Sequence, residues 1–128
     1  MNLYTGWDRR TTVATPQAIR DAIAGADRLQ GDPFVIADRS GQWYLQTLRS
    51  TAGFIIEKRE GDAESHYRAI NLKTRRNADL APELWSRLLS VGVKRDRHFL
   101  AEEVIYVFLA YTAWQADPAF LGWESIAV

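Results

Sequence analysis

The side chains best suited to chemistry lie in one short stretch, where Glu57, Glu60, Asp62 and Glu64 precede His66. Carboxylates beside a histidine can share protons in acid–base catalysis, or they can hold a metal ion. No spacing here resembles the His-x-x-x-His or His-Glu-x-x-His patterns of metal sites. Catalytic carboxylates also need a partly desolvated cleft, whereas these acids surround a glycine in a polar tip. The stretch therefore predicts a solvated turn or a protein-binding edge, and no metal site.

Motifs for covalent chemistry and for phosphate binding are missing from the sequence. The chain has no cysteine, which excludes a disulfide, a thiolate nucleophile and a zinc–thiolate site. No serine lies in a Gly-x-Ser-x-Gly context, and the sequence contains no glycine-rich phosphate loop. We therefore predict no catalytic residue and no cofactor. The enzyme alternative is a small hydrolase or transferase that uses His66 with Glu57 or Glu64.

Two short basic runs, residues 73–76 and 94–97, are the candidates for contact with phosphates. Nucleic-acid binders usually carry a basic excess, because they displace counterions from the phosphate backbone. Sixteen basic residues balance sixteen acidic ones here, so the formal net charge is zero. We therefore expect no direct contact with nucleic acid. The alternative, a nucleic-acid-binding or adaptor domain, would use Arg75, Arg76, Arg95 and Arg97.

Tryptophan is abundant, with five residues in a chain of 128. Trp43, Trp85 and Trp114 lie in apolar patterns, which favours positions in the core. A buried indole N–H needs a partner, whereas exposed tryptophans are typical of the residues that dominate protein interfaces. Trp7 and Trp43 are the two for which we consider a partner-binding role.

Strand-like segments occupy the middle of the chain. Residues 54–71 form two strand-like runs around a polar tip with one glycine, which is the usual pattern of a β-hairpin. Residues 33–38 are almost continuously apolar, which predicts a strand covered on both faces, and residues 43–48 predict another strand. A strand or a short hairpin is expected over residues 3–13, and a last strand over residues 122–128. Short consecutive strands of this kind predict an antiparallel meander.

Helical periodicity frames these strands. Thr15 and Pro16 are a typical N-cap and first residue, and apolar residues follow at helical spacing. Residues 82–90 and 101–114 show the same spacing. The predicted fold class is α/β in the α+β sense: an antiparallel β-sheet meander of about four to six strands, with two to three helices packed on it. A length of 128 residues suits a single domain, residues 1–128.

The sequence also predicts where the protein works. Its first residues lack the basic start and apolar run of a secretory signal. No apolar stretch approaches the roughly 20 residues that a membrane-spanning helix needs. We therefore expect a cytoplasmic protein without a membrane partner.

The order of the elements resembles the first-described immunity family of bacterial polymorphic toxin systems, which includes immunity proteins of contact-dependent growth inhibition. The matching features are a helix started by Thr15-Pro16, a strand pair at residues 34–38 and 43–46, a hairpin through Gly61, Glu102-Glu103 ahead of Phe108, and Gly122-Trp123-Glu124. The segment at residues 80–97 departs from this pattern, because it is longer than the family's usual link before the final helix. The family's binding surface at that segment is therefore not carried over.

The resemblance implies a small cytoplasmic immunity protein with no catalytic residues and no cofactor. Its partner would be the C-terminal toxin domain of a cognate effector, for example a nuclease such as a tRNase. The active face of a nuclease is basic, and an acidic patch would complement it and accelerate association. Our hypothesis for that patch is the cluster of acids at the hairpin, which comprises Glu57, Glu60, Asp62 and Glu64.

Overall fold

An antiparallel sheet forms the centre of the fold in the computed structural model, which describes residues 1–6, 10–28, 33–77 and 95–126. Within these residues the structure has seven strands and three α-helices. The strands are β1 (Asn2–Thr5), β2 (Arg10–Val13), β3 (Phe34–Ser40), β4 (Trp43–Ser50), β5 (Gly53–Glu60), β6 (His66–Asn71) and β7 (Leu121–Ser125). The helices are α1 (Pro16–Asp27), α2 (Leu72–Asn77) and α3 (Ala101–Thr112), and a short 3-10 helix spans Arg95–Arg97.

The strand order is β2-β1-β3-β4-β5-β6-β7, and every neighbouring pair is antiparallel. This arrangement confirms the predicted α+β meander. The described residues contain seven strands rather than about four to six. Residues 3–13 adopt the second of the two forms expected for them, since β1 and β2 pair as antiparallel strands. β3 pairs with β1 instead of β2, since α1 carries the chain back across one face of the sheet before β3 begins.

α1 and α3 pack on the same face of the sheet and form one core with it. Strand side chains alternate between faces, so every second residue of β3, β4 and β5 points toward the helices. The predicted start of α1 is confirmed, because the Thr15 hydroxyl accepts a hydrogen bond of 3.1 Å from the Ala18 N–H. Buried residues of the core include Val35, Ala37, Leu45, Phe54, Ile56, Ile19, Ile23, Val104, Val107 and Phe108.

The start of α3 is held by an acidic side chain. Glu103, in the first turn, accepts a 2.8 Å hydrogen bond from the Leu100 N–H. Its other carboxylate oxygen lies 3.2 Å from the ammonium of Lys73. An acid at this position satisfies a free N–H and complements the helix dipole. The helix ends at Thr112, two residues before the predicted end.

The residues that lead into α3 are joined to the sheet at Phe54. Phe54 and Phe99 exchange two backbone hydrogen bonds of 2.9 Å each. Gly53 has a positive φ of 141°, and a Cβ there would lie 3.0 Å from the Phe99 carbonyl oxygen. Glycine is therefore required where these two segments meet.

The second face of β3 differs from the expectation of cover on both sides. Phe34 and Ile36 are only partly buried and line an open groove, whereas Val35 and Ala37 are buried on the helix side. Both helices of the core lie on that one side, so the other face has no helix of the core against it. None of the described helices is long and apolar enough to cross a membrane. The predicted helix at residues 82–90, which includes Trp85, lies outside the described residues.

Replacing Phe108 with alanine should lower the free energy of unfolding by about 3–5 kcal/mol, because a fully buried ring leaves a cavity. Tyr106→Ala on the same helix is the control. Tyr106 is 59% exposed and contacts the Phe120 ring at 6.3 Å, so its loss should cost about 1 kcal/mol or less. Urea unfolding measures both values, and equal losses would contradict the assignment of one buried helix face.

Candidate protein-binding site

A stacked arginine is the centre of the candidate site. The guanidinium carbon of Arg39 lies 3.7 Å from the ring centroid of Tyr111 and 3.7 Å from that of Trp114. Its Nη2 donates a 2.7 Å hydrogen bond to the Tyr111 carbonyl. A planar cation between two aromatic faces gains both stacking and cation–π attraction. The arginine is therefore held in one orientation at the surface.

Strand alternation and a helix end bring these three residues together. Arg39 follows Val35 and Ala37 on the helix side of β3, at the point where that strand ends. α3 stops at Thr112, and Trp114 adopts a positive φ of 57°, which is uncommon for a residue other than glycine. This backbone conformation turns the indole back over Arg39. Trp114 is 70% exposed, so its outer surface is available to a partner.

A cleft of about 260 Å³ lies beside the stacked arginine, between the end of α3 and strands β4, β5 and β7. Lys58 extends along its wall, with the ammonium 4.2 Å from the Trp123 ring centroid and paired with Glu60. The Trp123 indole N–H donates a 2.9 Å hydrogen bond to Asp117. Residues that line the cleft include Arg39, Trp43, Lys58, Glu60, Tyr111 and Trp123.

Trp43 stands at the edge of this cleft and is 44% exposed. The Trp43 ring packs directly on Gly61, where a Cβ would lie only 3.1 Å from the indole. Gly61 also has a positive φ of 94°, so the turn requires glycine for two reasons. The tip of the β5–β6 hairpin therefore packs directly against one wall of the cleft.

The predicted acidic patch is divided by the pleat of the sheet. Glu60 lines the cleft, whereas Glu57 lies on the opposite face of β5. Asp62 and Glu64 are exposed in the loop that joins β5 to β6. Residues separated by an odd number along a strand point to opposite faces, so Glu57 and Glu60 cannot share one surface. Of the predicted residues, the structure brings together Trp43 and Glu60, with the hairpin tip beside them.

Asp62 stabilises the hairpin turn. Its Oδ1 accepts hydrogen bonds from the backbone N–H groups of Glu64, at 3.0 Å, and Ser65, at 2.9 Å. A hydrogen bond with the Ser65 side chain, followed by the bonds from the backbone N–H groups of Ser65 and Glu64, holds the pKa of Asp62 below its usual value. The carboxylate is exposed, so it remains open to a partner at the same time.

Glu57 has a full set of partners on the other face. It accepts hydrogen bonds from Gln46 at 3.1 Å and from Arg68 at 2.9 Å, and His66 Nε2 lies 3.4 Å away. The two residues considered for acid–base chemistry, His66 and Glu57, are therefore close together in the structure. The same carboxylate forms an ion pair with Arg68 at 2.9 Å.

The basic residues considered for nucleic acid are engaged or lie outside the described side chains. Arg97 donates to Glu124 through Nε and Nη2, the latter at 2.7 Å, and its Nη1 lies 2.8 Å from Asp96. The bond to Glu124 raises the pKa of Arg97 above its usual value. The side chains of Arg75, Arg76 and Arg95 are outside the described part of the structure.

The sequence reasoning missed two residues of the site, Arg39 and Trp114. The expectation that Trp114 belongs to the core is wrong, because the helix ends before it and leaves it at the surface. The same expectation is wrong for Trp43, whose exposure agrees with its second interpretation as a candidate partner-binding residue. A signal for Trp114 existed in Asp117-Pro118, which ends the helical pattern just beyond it. Trp7 lies outside the described residues.

In the described part of the chain, no group of three or more His, Cys, Asp or Glu side chains could hold a metal ion. No family model matches the chain, and no curated protein or solved structure matches it at the significance required. Exposed tryptophans next to a stacked arginine are the side chains that most often dominate protein–protein binding. The cleft is therefore best suited to binding a protein surface.

Tyr111 should be the last tyrosine to ionise as the pH rises. Burial raises its pKa to about 12, although the Arg39 cation opposes this, and its hydroxyl has no hydrogen-bond partner among the described residues. Because the pKa of Tyr111 in the folded protein exceeds the ordinary tyrosine value of 10.0, the associated stability is complete below that pH and is lost as the pH rises toward about 12. Spectrophotometric titration should show one late phase, which Tyr111→Phe removes.

Tyr111→Phe should leave the protein as stable as the parent at neutral pH, or more stable by about 1 kcal/mol, since the hydroxyl it removes is buried and unpaired. Tyr67→Phe is the comparison, because Tyr67 is a partly buried tyrosine on the same side of the sheet. A late phase that persists in Tyr111→Phe would contradict the assignment.

Proposed function

We propose that this protein is an immunity protein that binds a cognate toxin domain, a nuclease such as a tRNase, and blocks it through the cleft at the end of α3. The observation that carries the proposal is the exposed stack in which Arg39 lies between Tyr111 and Trp114. Tryptophan, tyrosine and arginine contribute most of the energy at typical interfaces. Trp43 adds a second exposed indole on the other side of the same cleft.

The stack is suited to tight binding because it is already ordered. Arg39 is fixed by two rings and by its hydrogen bond to the Tyr111 carbonyl, and Trp43 is held against Gly61. Ordering a long side chain at an interface costs about 0.5–1.5 kcal/mol. Side chains that are immobile before binding avoid that cost, which favours the high affinity that an inhibitor needs.

The acids of the hairpin tip beside the cleft suit a basic partner, while within the cleft Arg39 and Lys58 balance Glu60 and Asp117. Glu60, Asp62 and Glu64 lie on or next to its rim, and Arg59 points to the other face of the sheet. A nuclease presents a basic surface to its substrate, so rim acids would accelerate the encounter. Three of the four acids of the sequence hypothesis can thus act together with the aromatic residues, without Glu57.

The family resemblance is the basis for the proposed class of partner, and the cleft is the basis for the proposed binding surface. The α+β meander, with a long helix before a last strand that contains Trp123, agrees with the resemblance. An inhibitor of an intracellular nuclease has to act in the cytoplasm, where the substrate is. Cytoplasmic action is therefore part of the same proposal.

Trp114→Ala should weaken the complex with the toxin domain encoded next to this gene by about 2 kcal/mol or more, roughly a 30-fold rise in Kd. Trp114 is exposed, so its removal should leave the fold intact. Tyr106→Ala, which removes an exposed aromatic residue away from the cleft, should bind as the parent does. Calorimetric titration measures Kd, and rescue of cells that express the toxin measures protection.

Two results would oppose this proposal in different ways. If the parent protein neither binds nor protects against the adjacent toxin, the proposed function is wrong. If it protects and Trp114→Ala, Arg39→Lys and Trp43→Ala all bind normally, the function stands and the cleft is not the interface.

The double variant Glu60→Gln/Glu64→Gln should lower the association rate constant roughly three- to tenfold at low salt, because rim charges mainly change the rate of encounter. The difference should disappear as added salt screens the charges. Glu102→Gln, an exposed acid at the opposite end of α3, is the matched control. Stopped-flow mixing measures the rates, and an effect of equal size in the control would show that only net charge matters.

A further inference from the structure

The open face of the sheet carries an apolar groove of about 420 Å³, on the side opposite the helices. Phe34, Leu48 and Ile55 are direct cross-strand neighbours on β3, β4 and β5 and form its apolar row. Ile36 extends that row along β3. Leu48 is 44% exposed, which is a large apolar surface for the middle of a sheet. The size and lining are those of a small-molecule site.

A polar row closes one side of this groove. Gln46, Glu57 and Arg68 are cross-strand neighbours on β4, β5 and β6. Glu57 Oε1 accepts from Gln46 and lies 3.4 Å from His66 Nε2, while Oε2 accepts from Arg68 Nε and Nη2 at 3.1 and 2.9 Å. Both carboxylate oxygens are thus engaged within the protein, and Glu57 acts as a support for Arg68.

Arg68 retains donors that face away from Glu57. A guanidinium has five N–H groups, and two of them are directed to Glu57, which leaves three. In the described part of the chain those three have no partner, and the Arg68 side chain is 40% exposed. Guanidinium edges of this kind bind carboxylate, sulfonate or phosphate oxygens with paired hydrogen bonds.

We infer that this groove binds a small amphiphilic anion, with its apolar body on the Phe34–Leu48–Ile55 row and its acidic head on the free edge of Arg68. The complementarity is of both kinds: apolar surface meets apolar surface, and the remaining donors meet acceptors. Glu57 orients Arg68 through its Oε2, and its Oε1 accepts from Gln46. This site is independent of toxin binding, since it lies on the face opposite the cleft.

The charges around the groove favour a dissolved molecule over a membrane surface. Among the described residues of this face, Asp38, Glu57 and Glu124 balance Arg59, Arg68 and Arg97, so these residues give no basic excess to attract anionic lipid. The groove is also bounded by charged rows rather than by further apolar surface. We therefore commit to a free small molecule as the occupant.

The test compares two fluorescent probes with the same apolar body. Anilinonaphthalene sulfonate carries an acidic head, and the uncharged phenylnaphthylamine does not. The intact protein should bind both with one-to-one stoichiometry, and the sulfonate at least about tenfold more tightly, as expected for charge-assisted hydrogen bonds. Leu48→Glu should abolish binding of both probes, whereas Val13→Glu, at an exposed apolar residue of β2, should change neither.

Charge variants then test the role of Arg68. Arg68→Gln should remove the advantage of the sulfonate and leave the neutral probe unchanged. The double variant Arg68→Gln/Glu57→Gln separates donation from repulsion: if only an exposed Glu57 repelled the sulfonate, the double variant would recover its binding. Recovery would overturn the assignment of the head to Arg68.

Other outcomes overturn the site as a whole. The site is wrong if neither probe binds to a protein that unfolds cooperatively, or if Leu48→Glu binds both probes as the parent does. It is also wrong if the protein binds anionic vesicles but does not bind the dissolved sulfonate. None of these outcomes depends on whether the toxin complex forms, so the two proposals fail separately.

Discussion

The pleat of the sheet constrains every other feature of this molecule. Each residue of the central strands must point to one of two faces, and α1 and α3 cover only one of them. Val35, Leu45 and Ile56 lie on the covered face and belong to the hydrophobic core, whose burial drives folding. The residues that alternate with them point to the face without these helices. That face accordingly carries both cross-strand ion pairs and aliphatic side chains.

The helices of the core leave the sheet uncovered in two places, and one of the two sites lies at each place. At one end, α3 stops at Thr112 while β3, β4 and β5 continue. Positions that would otherwise be core are taken there by residues with apolar bodies and polar ends, namely Arg39, Trp43 and Lys58. On the far face no helix of the core is present, and the groove lies there. The cleft therefore lies at the edge of the core, and the groove lies on the face of the sheet opposite the core.

Much of this fold can be read from the sequence because local signals agree with one another. Thr15-Pro16 and the spacing of Ile19 and Ile23 specify α1 without any tertiary information. The site is harder to read, since the stack of Arg39 on Trp114 joins residues 75 positions apart. Asp117-Pro118 shows that the helical pattern must end soon after Trp114, but no local signal shows that the helix already stops at Thr112. Separation of Glu57 from Glu60, by contrast, follows from their odd spacing alone.

Both sites depend on the register of β5. This strand carries Glu57 on the groove face and Lys58 and Glu60 on the cleft face, so a slip of one residue would exchange the two sets. The turn after β5 therefore has to be specific. The Gly61 N–H donates 3.0 Å to the Gln42 carbonyl, which ties the turn to β4. Asp62 accepts from two N–H groups of the loop, and its hydrogen bonds with Ser65 hold the pKa of the carboxyl below its usual value. Asp62, which the sequence suggests as a binding residue, thus also stabilises the turn that fixes the register of β5.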